Sequence, residues 1–274
     1  MEKIKLIVSD MDGTLLNRQS VISEYTIRTL HRVNQAGVKI VPISGRPLCH
    51  LKPVISNIQN LEYVATANGS AIIDLKCDRI LKQFPLKLEI VHEIFDLMDS
   101  MGHKPAVFVN GFIFDENGVF DPPGIQKGVG NSFGKEMDRR VREKGLQESL
   151  LTGEYPIDEL ALSFECAQEK QRVQNALKEI KGIVLSYAFE KNLEINAQEA
   201  TKGNALEEIA KIYGIPLEQT MAIGDGVNDI SMIERAGIGV VMGNALEGLQ
   251  GHGDYVTLSN DEDGAAKAIE KFVL

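Results

Sequence analysis

The chain predicts an α/β fold, a parallel-sheet core interrupted by an inserted α+β domain, and three observations predict it. Short β-branched runs alternate with helix-period segments toward both ends of the chain, the order that a parallel sheet with crossover helices requires. Each run delivers a polar or Gly-containing segment at its carboxyl end, the edge where open α/β sheets bind ligands. Between about Phe84 and Glu190 the pattern changes to one long helix-like stretch and hairpin-like runs. With 274 residues, 43% of them hydrophobic, the chain can bury a real core and is near the length at which chains divide. The expected division is a core of residues 1–83 and 190–274 with an insertion over 84–189.

Taken in order, Ile4 to Val8 reads as the first strand. Ser23 to Ala36 reads as a helix with Ser23 as N-cap and Gly37 as its stop. Val38 to Ile43 is a second strand, ending at Ser44-Gly45-Arg46-Pro47, and Tyr63 to Ala67 a third, ending at Asn68-Gly69. In the insertion, Leu86 to Met101 carries Ile90, Val91, Ile94, Phe95, Leu97 and Met98 at helical spacing, an amphipathic face. Ala106 to Val109 and Phe112 to Asp115 read as a hairpin. The Gly-rich stretch Gly124 to Gly134 lacks the G-x-G-x-x-G spacing and reads as a mobile loop, not a phosphate loop. Glu207 to Tyr213 is helical, Met221 to Ile223 is a strand ending at Gly224-Asp225, and Ile238 to Met242 is another strand.

A net charge of −10 without Lys/Arg-rich tracts argues against partners held by bulk electrostatics, whether nucleic acid or an anionic membrane. No apolar stretch approaches the ~20 residues of a spanning helix, and the amino terminus has no signal-peptide pattern. Cys49, Cys77 and Cys166 are widely spaced with no C-x-x-C pair, so neither a disulfide framework nor a zinc site is expected. Together these predict a cytoplasmic protein.

Asp10-Met11-Asp12-Gly13-Thr14 is the most informative stretch. Residues i and i+2 of an extended chain face the same side, so Asp10 and Asp12 converge just past a strand's end, and Gly13 lets the chain turn away. Alone, such a pair also suits a turn or a helix cap. Weighed with Ser44-Gly45-Arg46, Thr201-Lys202-Gly203-Asn204 and Gly224-Asp225-Gly226-Val227-Asn228-Asp229, it reads as catalytic. This set and order resemble the haloacid dehalogenase superfamily of phosphohydrolases, in its Cof-type branch. The match extends to Asn68-Gly69 and to the run Ala236 to Ala245, and covers residues 1 to about 83 and 190 to 274. Ala197-Gln198-Glu199-Ala200, before Thr201-Lys202, departs from the Pro and Gly that relatives often carry. The fold implied is a Rossmann-like parallel-sheet core with an inserted α+β cap that covers the site and supplies most substrate contacts.

Phosphoryl transfer needs an in-line nucleophile, neutralised oxygens and a proton donor. Asp10 suits nucleophilic attack to give an aspartyl-phosphate; the resemblance makes Asp12 the general acid. Gathering Asp10, Asp12, Asp225 and Asp229 near a phosphate is unfavourable, since like charges ~4 Å apart repel by ~4 kcal/mol at a dielectric of 20. A divalent cation is the remedy, and oxygen donors suit Mg²⁺. The resemblance implies Asp10, the Asp12 carbonyl and Asp225 as metal ligands, with Asp229 behind them, orienting ligands or bonding Lys202. Lys202 would contact phosphate and hold Asp10 ionised. Ser44 and the Gly45 amide, before a helix starting near Pro47, form an anion site. Arg46 touches phosphate, or the substrate body, or makes a surface ion pair. Met11 and Asn228 join the phosphate contacts by resemblance, and Asn68 more weakly, because Asn-Gly is also a common turn. His31, His50, His92, His103 and His252 fall outside these segments. The activity expected is Mg²⁺-dependent hydrolysis of a small phosphorylated metabolite, such as a sugar phosphate. The alternatives are a phosphomutase of the same superfamily and a non-catalytic regulator that binds a phosphorylated ligand.

Overall fold

The computed structural model describes residues 2–119, 132–187 and 191–274. The chain forms two compact units, one of Met1–Gly45, Val54–Lys82 and Thr201–Leu274, the other of Arg46–Pro53 and Gln83–Ala200.

The first unit is built on a five-stranded parallel sheet. Its order is Tyr255–Val256, Ile238–Val241, Thr220–Gly224, Leu6–Ser9 and Lys39–Pro42. Such a sheet needs cover on both faces, and Leu6, Ile7 and Val8 are all fully buried although successive side chains point to opposite sides. Leu6 and Val8 pack into one cluster with Leu206 and Ile209 of the helix Lys202–Tyr213. The helix Glu24–Gln35 starts as expected, with the Ser23 hydroxyl oxygen accepting the Thr26 N–H. It is tied to the last helix, Gly264–Phe272, by Tyr25 and Arg32, which both reach Glu270.

One strand departs from expectation. Tyr63–Thr66 does not join the parallel sheet: it pairs antiparallel with Ala71–Asp74, in a three-stranded sheet completed by Arg79–Gln83. It meets the neighbouring sheet through an isolated parallel bridge between Ile43 and Ala65, where the Ser44 N–H donates to the Ala65 carbonyl at 3.0 Å. The reason is local. Ala67, Asn68 and Gly69 take φ of 48°, 57° and 95°, a left-handed run that turns the chain straight back on itself.

The second unit is α+β. Its six strands run in the order Ile183–Ser186, Asn192–Ala197, Ile157–Ser163, Ala106–Val109, Phe112–Asp115 and Gly118–Val119, each pair antiparallel. Val91, Ile94, Phe95 and Met98 of the helix Leu88–Met101 pack with Leu160, Leu162 and Leu193 from the sheet. The strand Asn192–Ala197 lies past the insertion edge expected at 189, because its partners are the two strands that flank it in this sheet. Of the Gly-rich stretch, Gly124, Gly128 and Gly130 lie outside the described residues. Gly134 falls within the helix Ser132–Lys144, where a Cβ would stand 2.6 Å from the Phe112 ring.

Val109 pairs with Ile157 and Phe108 with Glu159, which makes Asp158 the extra residue of a β-bulge. Its buried carboxylate accepts a 2.6 Å hydrogen bond from Gln83, yet burial outweighs that bond and lifts its pKa from 3.8 to about 7. With the folded pKa above the unfolded one, the native state binds more protons between these values, so this group lowers stability as pH rises through that window. Asp158→Asn should therefore gain stability relative to the wild type between about pH 4 and about pH 8 in urea titrations. A difference that does not change with pH would contradict this.

Candidate active site

The two central strands bring the site together. Ser9 pairs with Ile223, and the Asp10 N–H donates to the Ile223 carbonyl at 2.9 Å, so the segments starting at Asp10 and Asp225 leave one sheet edge side by side. The third segment arrives on a helix start: Thr201 caps the helix by accepting the Asn204 N–H at 3.1 Å, which makes Lys202 the first helical residue. Gly203 lets that turn approach closely, since a Cβ there would stand 2.5 Å from the Ser231 carbonyl oxygen.

Lys202 Nζ then donates to Asp10 Oδ1 and to Asp229 Oδ1, both at 2.6 Å. Its side chain is 1% exposed and that of Asp229 0%. The other Asp229 oxygen, Oδ2, accepts the N–H groups of Asp225 at 2.9 Å and Gly226 at 2.8 Å, so both oxygens of this carboxylate are committed. Asp225 Oδ1 accepts the Thr14 hydroxyl at 2.7 Å. Gly13, at φ 78°, lies against the same carboxylate; a Cβ there would be 2.2 Å from Asp225 Oδ2. Asp12 is half-buried in the loop between, bridged to Leu16. Met11 is buried, its carbonyl accepting from the Thr14 and Leu16 N–H groups.

Asp10, Asp225 and Asp229 each place a carboxylate oxygen within 4.8 Å of the others. One ammonium faces three carboxylates, and the titration behaviour follows. Burial raises the Asp10 pKa well above 3.8; Lys202 opposes this, while Asp229, Asp225 and Asp12 add to it. Burial, then Asp229, pushes Asp225 up to about 6, against the Thr14 hydrogen bond and Lys202. For Lys202 burial favours loss of the proton, but Asp10 and Asp229 more than offset it and hold the ammonium above its usual pKa.

These residues fit a hard divalent cation. The donors are all oxygens, the surplus negative charge is buried, and Asp10 Oδ2 and Asp225 Oδ2 accept no hydrogen bond from the described residues. Asp229 has both oxygens engaged by protein donors.

A second cluster adjoins the first. Ile43 N–H donates to the Ser9 carbonyl at 2.9 Å, which brings buried Ser44 to the same edge. The Ser44 carbonyl accepts the Asn68 N–H at 3.1 Å, a Cβ on Gly45 would stand 3.2 Å from Asn68 Oδ1, and that oxygen accepts Asn228 Nδ2 at 2.9 Å. Asn68, the weaker expectation, is thus the link between Ser44-Gly45 and Asn228. The following helix is Leu48–Ile55, one residue later than expected. Arg46 groups with the second unit, whereas the other expected site residues lie in the first. Sequence reading missed Thr14 as an individual, although it sits inside the matched run that starts at Asp10 and its hydroxyl meets Asp225.

An α/β core with an inserted α+β unit, and an aspartate–lysine cluster at the carboxyl edge of its parallel sheet, defines a class of hydrolase. The chain belongs to that class: the family model for haloacid dehalogenase-like hydrolases matches residues 7–269. It is a phosphatase of this family, in keeping with relatives that span both units. Phosphatase YwpJ of Bacillus subtilis is 30% identical, over 96% of this chain and 98% of its own length. A second relative from that organism, 5-amino-6-(5-phospho-D-ribitylamino)uracil phosphatase YcsE, is 30% identical over 99% of this chain and 96% of its own. Among solved structures, a haloacid dehalogenase-like hydrolase from Bacteroides thetaiotaomicron superposes with a TM-score of 0.79 at 29% identity, over 98% of this chain and 99% of the other.

Removing the ammonium while leaving its partners is the sharpest test of this arrangement. Lys202→Met should cost about 3–5 kcal/mol of stability at neutral pH, because two buried carboxylates lose their counter-charge. Urea unfolding of metal-free protein measures it; a cost below about 1 kcal/mol would mean that the ion pairs do not hold the site together.

Proposed function

We propose that the chain is a Mg²⁺-dependent phosphomonoesterase that hydrolyses a small phosphorylated metabolite, a sugar phosphate or a related compound, through an aspartyl-phosphate on Asp10. The observation that carries the proposal is the Lys202 ammonium held at 2.6 Å from both Asp10 and Asp229, with Asp225 alongside.

Lys202 fixes the Asp10 carboxylate at the sheet edge, and an oxygen of Asp10 attacks phosphorus as the bond to the alcohol oxygen breaks. Asp12 gives its proton to the departing alkoxide, then takes one from the water that attacks the aspartyl-phosphate, so that Asp10 is restored and inorganic phosphate leaves. When bound by Asp10, the Asp12 carbonyl and Asp225, Mg²⁺ supplies the positive charge that favours ionised carboxylates and balances the phosphoryl oxygens. Ser44, Gly45 and Asn228, joined through Asn68, supply hydrogen bonds to the phosphate, with Met11 completing that set. Asp229 carries no chemical step; it holds Lys202 and the amides of the Asp225 turn.

The second unit is assigned the role of a cap that selects the substrate. Relatives covering both units include one named for a phosphoribityl-uracil compound, and a solved structure named for a sugar phosphatase shares 25% identity at a TM-score of 0.76. Both support a polyhydroxylated phosphomonoester as the substrate class. A cytoplasmic setting suits this chemistry, and among the described residues no helix is long and apolar enough to cross a membrane.

Phosphate release from a panel of phosphorylated sugars and related metabolites tests the reading, with Mg²⁺ and with chelator. Asp10→Asn should lower kcat by at least about 10³-fold, and chelation should abolish turnover until Mg²⁺ is restored. Turnover that survives in Asp10→Asn would refute the assignment of the nucleophile.

A further inference from the structure

We propose that Asn244 is a positioning residue which, with Asn260, holds the turn of the nucleophile loop in its working shape; the inference rests on the reading of Asp10 and Asp12 above. Asn244 follows the strand Ile238–Val241 and is exposed, yet both polar atoms of its side chain are engaged. Its Nδ2 donates to the Gly13 carbonyl at 2.8 Å, and its Oδ1 accepts the Asn260 N–H at 2.8 Å. Asn260 Nδ2 in turn donates to the Leu16 carbonyl at 2.8 Å. Two side-chain amides therefore grip the carbonyls on either side of Thr14-Leu15, while the Met11 carbonyl accepts the Thr14 and Leu16 N–H groups from within the turn.

The backbone that carries Asn244 is itself fixed to the site. Gly243 N–H donates to the Leu258 carbonyl at 3.0 Å, and Leu246 N–H to the Asp225 carbonyl at 3.4 Å. What the grip controls is the Gly13–Thr14 peptide plane. That plane has its carbonyl on Asn244, leads to the Thr14 hydroxyl on Asp225 Oδ1, and follows a residue at φ 78° with no room for a Cβ beside Asp225 Oδ2. The Thr14 N–H of this plane meets the Met11 carbonyl at a long 3.3 Å, so Asn244 supplies the shorter of its two hydrogen bonds, beside a Gly13 that has no Cβ to restrict rotation. Rotation would pull the Thr14 hydroxyl from Asp225 and move Asp12, the proposed proton donor, against the carboxylates it works beside. Asn244 thus sets the spacing between Asp12 and Asp225 without touching substrate.

Three variants separate this role from a merely structural one: Asn244→Ala, Asn244→Asp and Asn260→Asp. Asn244→Asp keeps an oxygen for the Asn260 N–H but replaces the donor to Gly13 with an acceptor. With p-nitrophenyl phosphate at saturating Mg²⁺, both Asn244 variants should lose about 10-fold in kcat with KM within about 2-fold. Their Tm should stay within about 2 °C of the wild type. Asn260→Asp should show a smaller loss of kcat of the same kind. Deuterium uptake by peptides spanning residues 10–17 should rise in the Asn244 variants while the rest of the chain keeps its protection. Wild-type kcat in Asn244→Asp, or a loss that tracks global destabilisation, would overturn the proposal. Should the wild type turn over neither this ester nor any of the phosphorylated metabolites of the panel, the functional reading fails separately, and exchange at residues 10–17 decides this one: unchanged protection refutes it and a selective rise supports it.

Discussion

The buried ammonium of Lys202 is the interaction on which the rest of the site depends. A lysine 1% exposed is expensive to desolvate, and so are the carboxylates it serves, so the arrangement persists only because each charge meets its partner at 2.6 Å. Taking away the ammonium leaves Asp10 and Asp229 uncompensated; taking away Asp229 leaves the lysine with one partner and the amides of Asp225 and Gly226 with none. The lysine also ties distant parts of the chain together, because Asp10 follows the first strand, Lys202 starts a helix and Asp229 follows the strand Thr220–Gly224.

Close approach makes that convergence geometrically possible. Gly13, Gly203 and Gly224 stand where a Cβ would fall 2.2 Å from Asp225, 2.5 Å from the Ser231 carbonyl and 2.4 Å from Asp229. Hydrogen bonds then assign the carboxylates different work: Asp229 spends both oxygens on protein donors, whereas Asp10 and Asp225 each spend one. The raised pKa values of Asp10 and Asp225 come from burial first and then from the crowding of like charges, and a bound divalent cation would reverse their direction.

Much of the core was legible because parallel strands write themselves as short apolar runs with polar segments at their carboxyl ends. The runs at Ile4, Val38, Met221 and Ile238 are of this kind, and the residues brought together by Lys202 all sit at such ends or at a helix start. Tyr63–Thr66 carries the same apolar signal, yet it turns back at Ala67–Gly69; pairing direction depends on backbone dihedrals that the apolar pattern does not encode. Asn192–Ala197 lies beyond the expected edge of the insertion, because its strand partners belong to the second unit, and strand pairing is not encoded in the apolar pattern. Asn260 carries no signal in sequence, because a side-chain amide that grips a distant carbonyl is defined by three-dimensional proximity alone.

Covalent phosphorylation of Asp10 is the step on which the proposed mechanism turns. Acid-quenching the enzyme during turnover of a good substrate, followed by peptide mass spectrometry, tests it most directly. A phosphoryl adduct is expected on the peptide containing Asp10, labile to alkali and absent from Asp10→Asn. An adduct on another residue, or turnover without an adduct when chemistry is fast and hydrolysis slow, would contradict it.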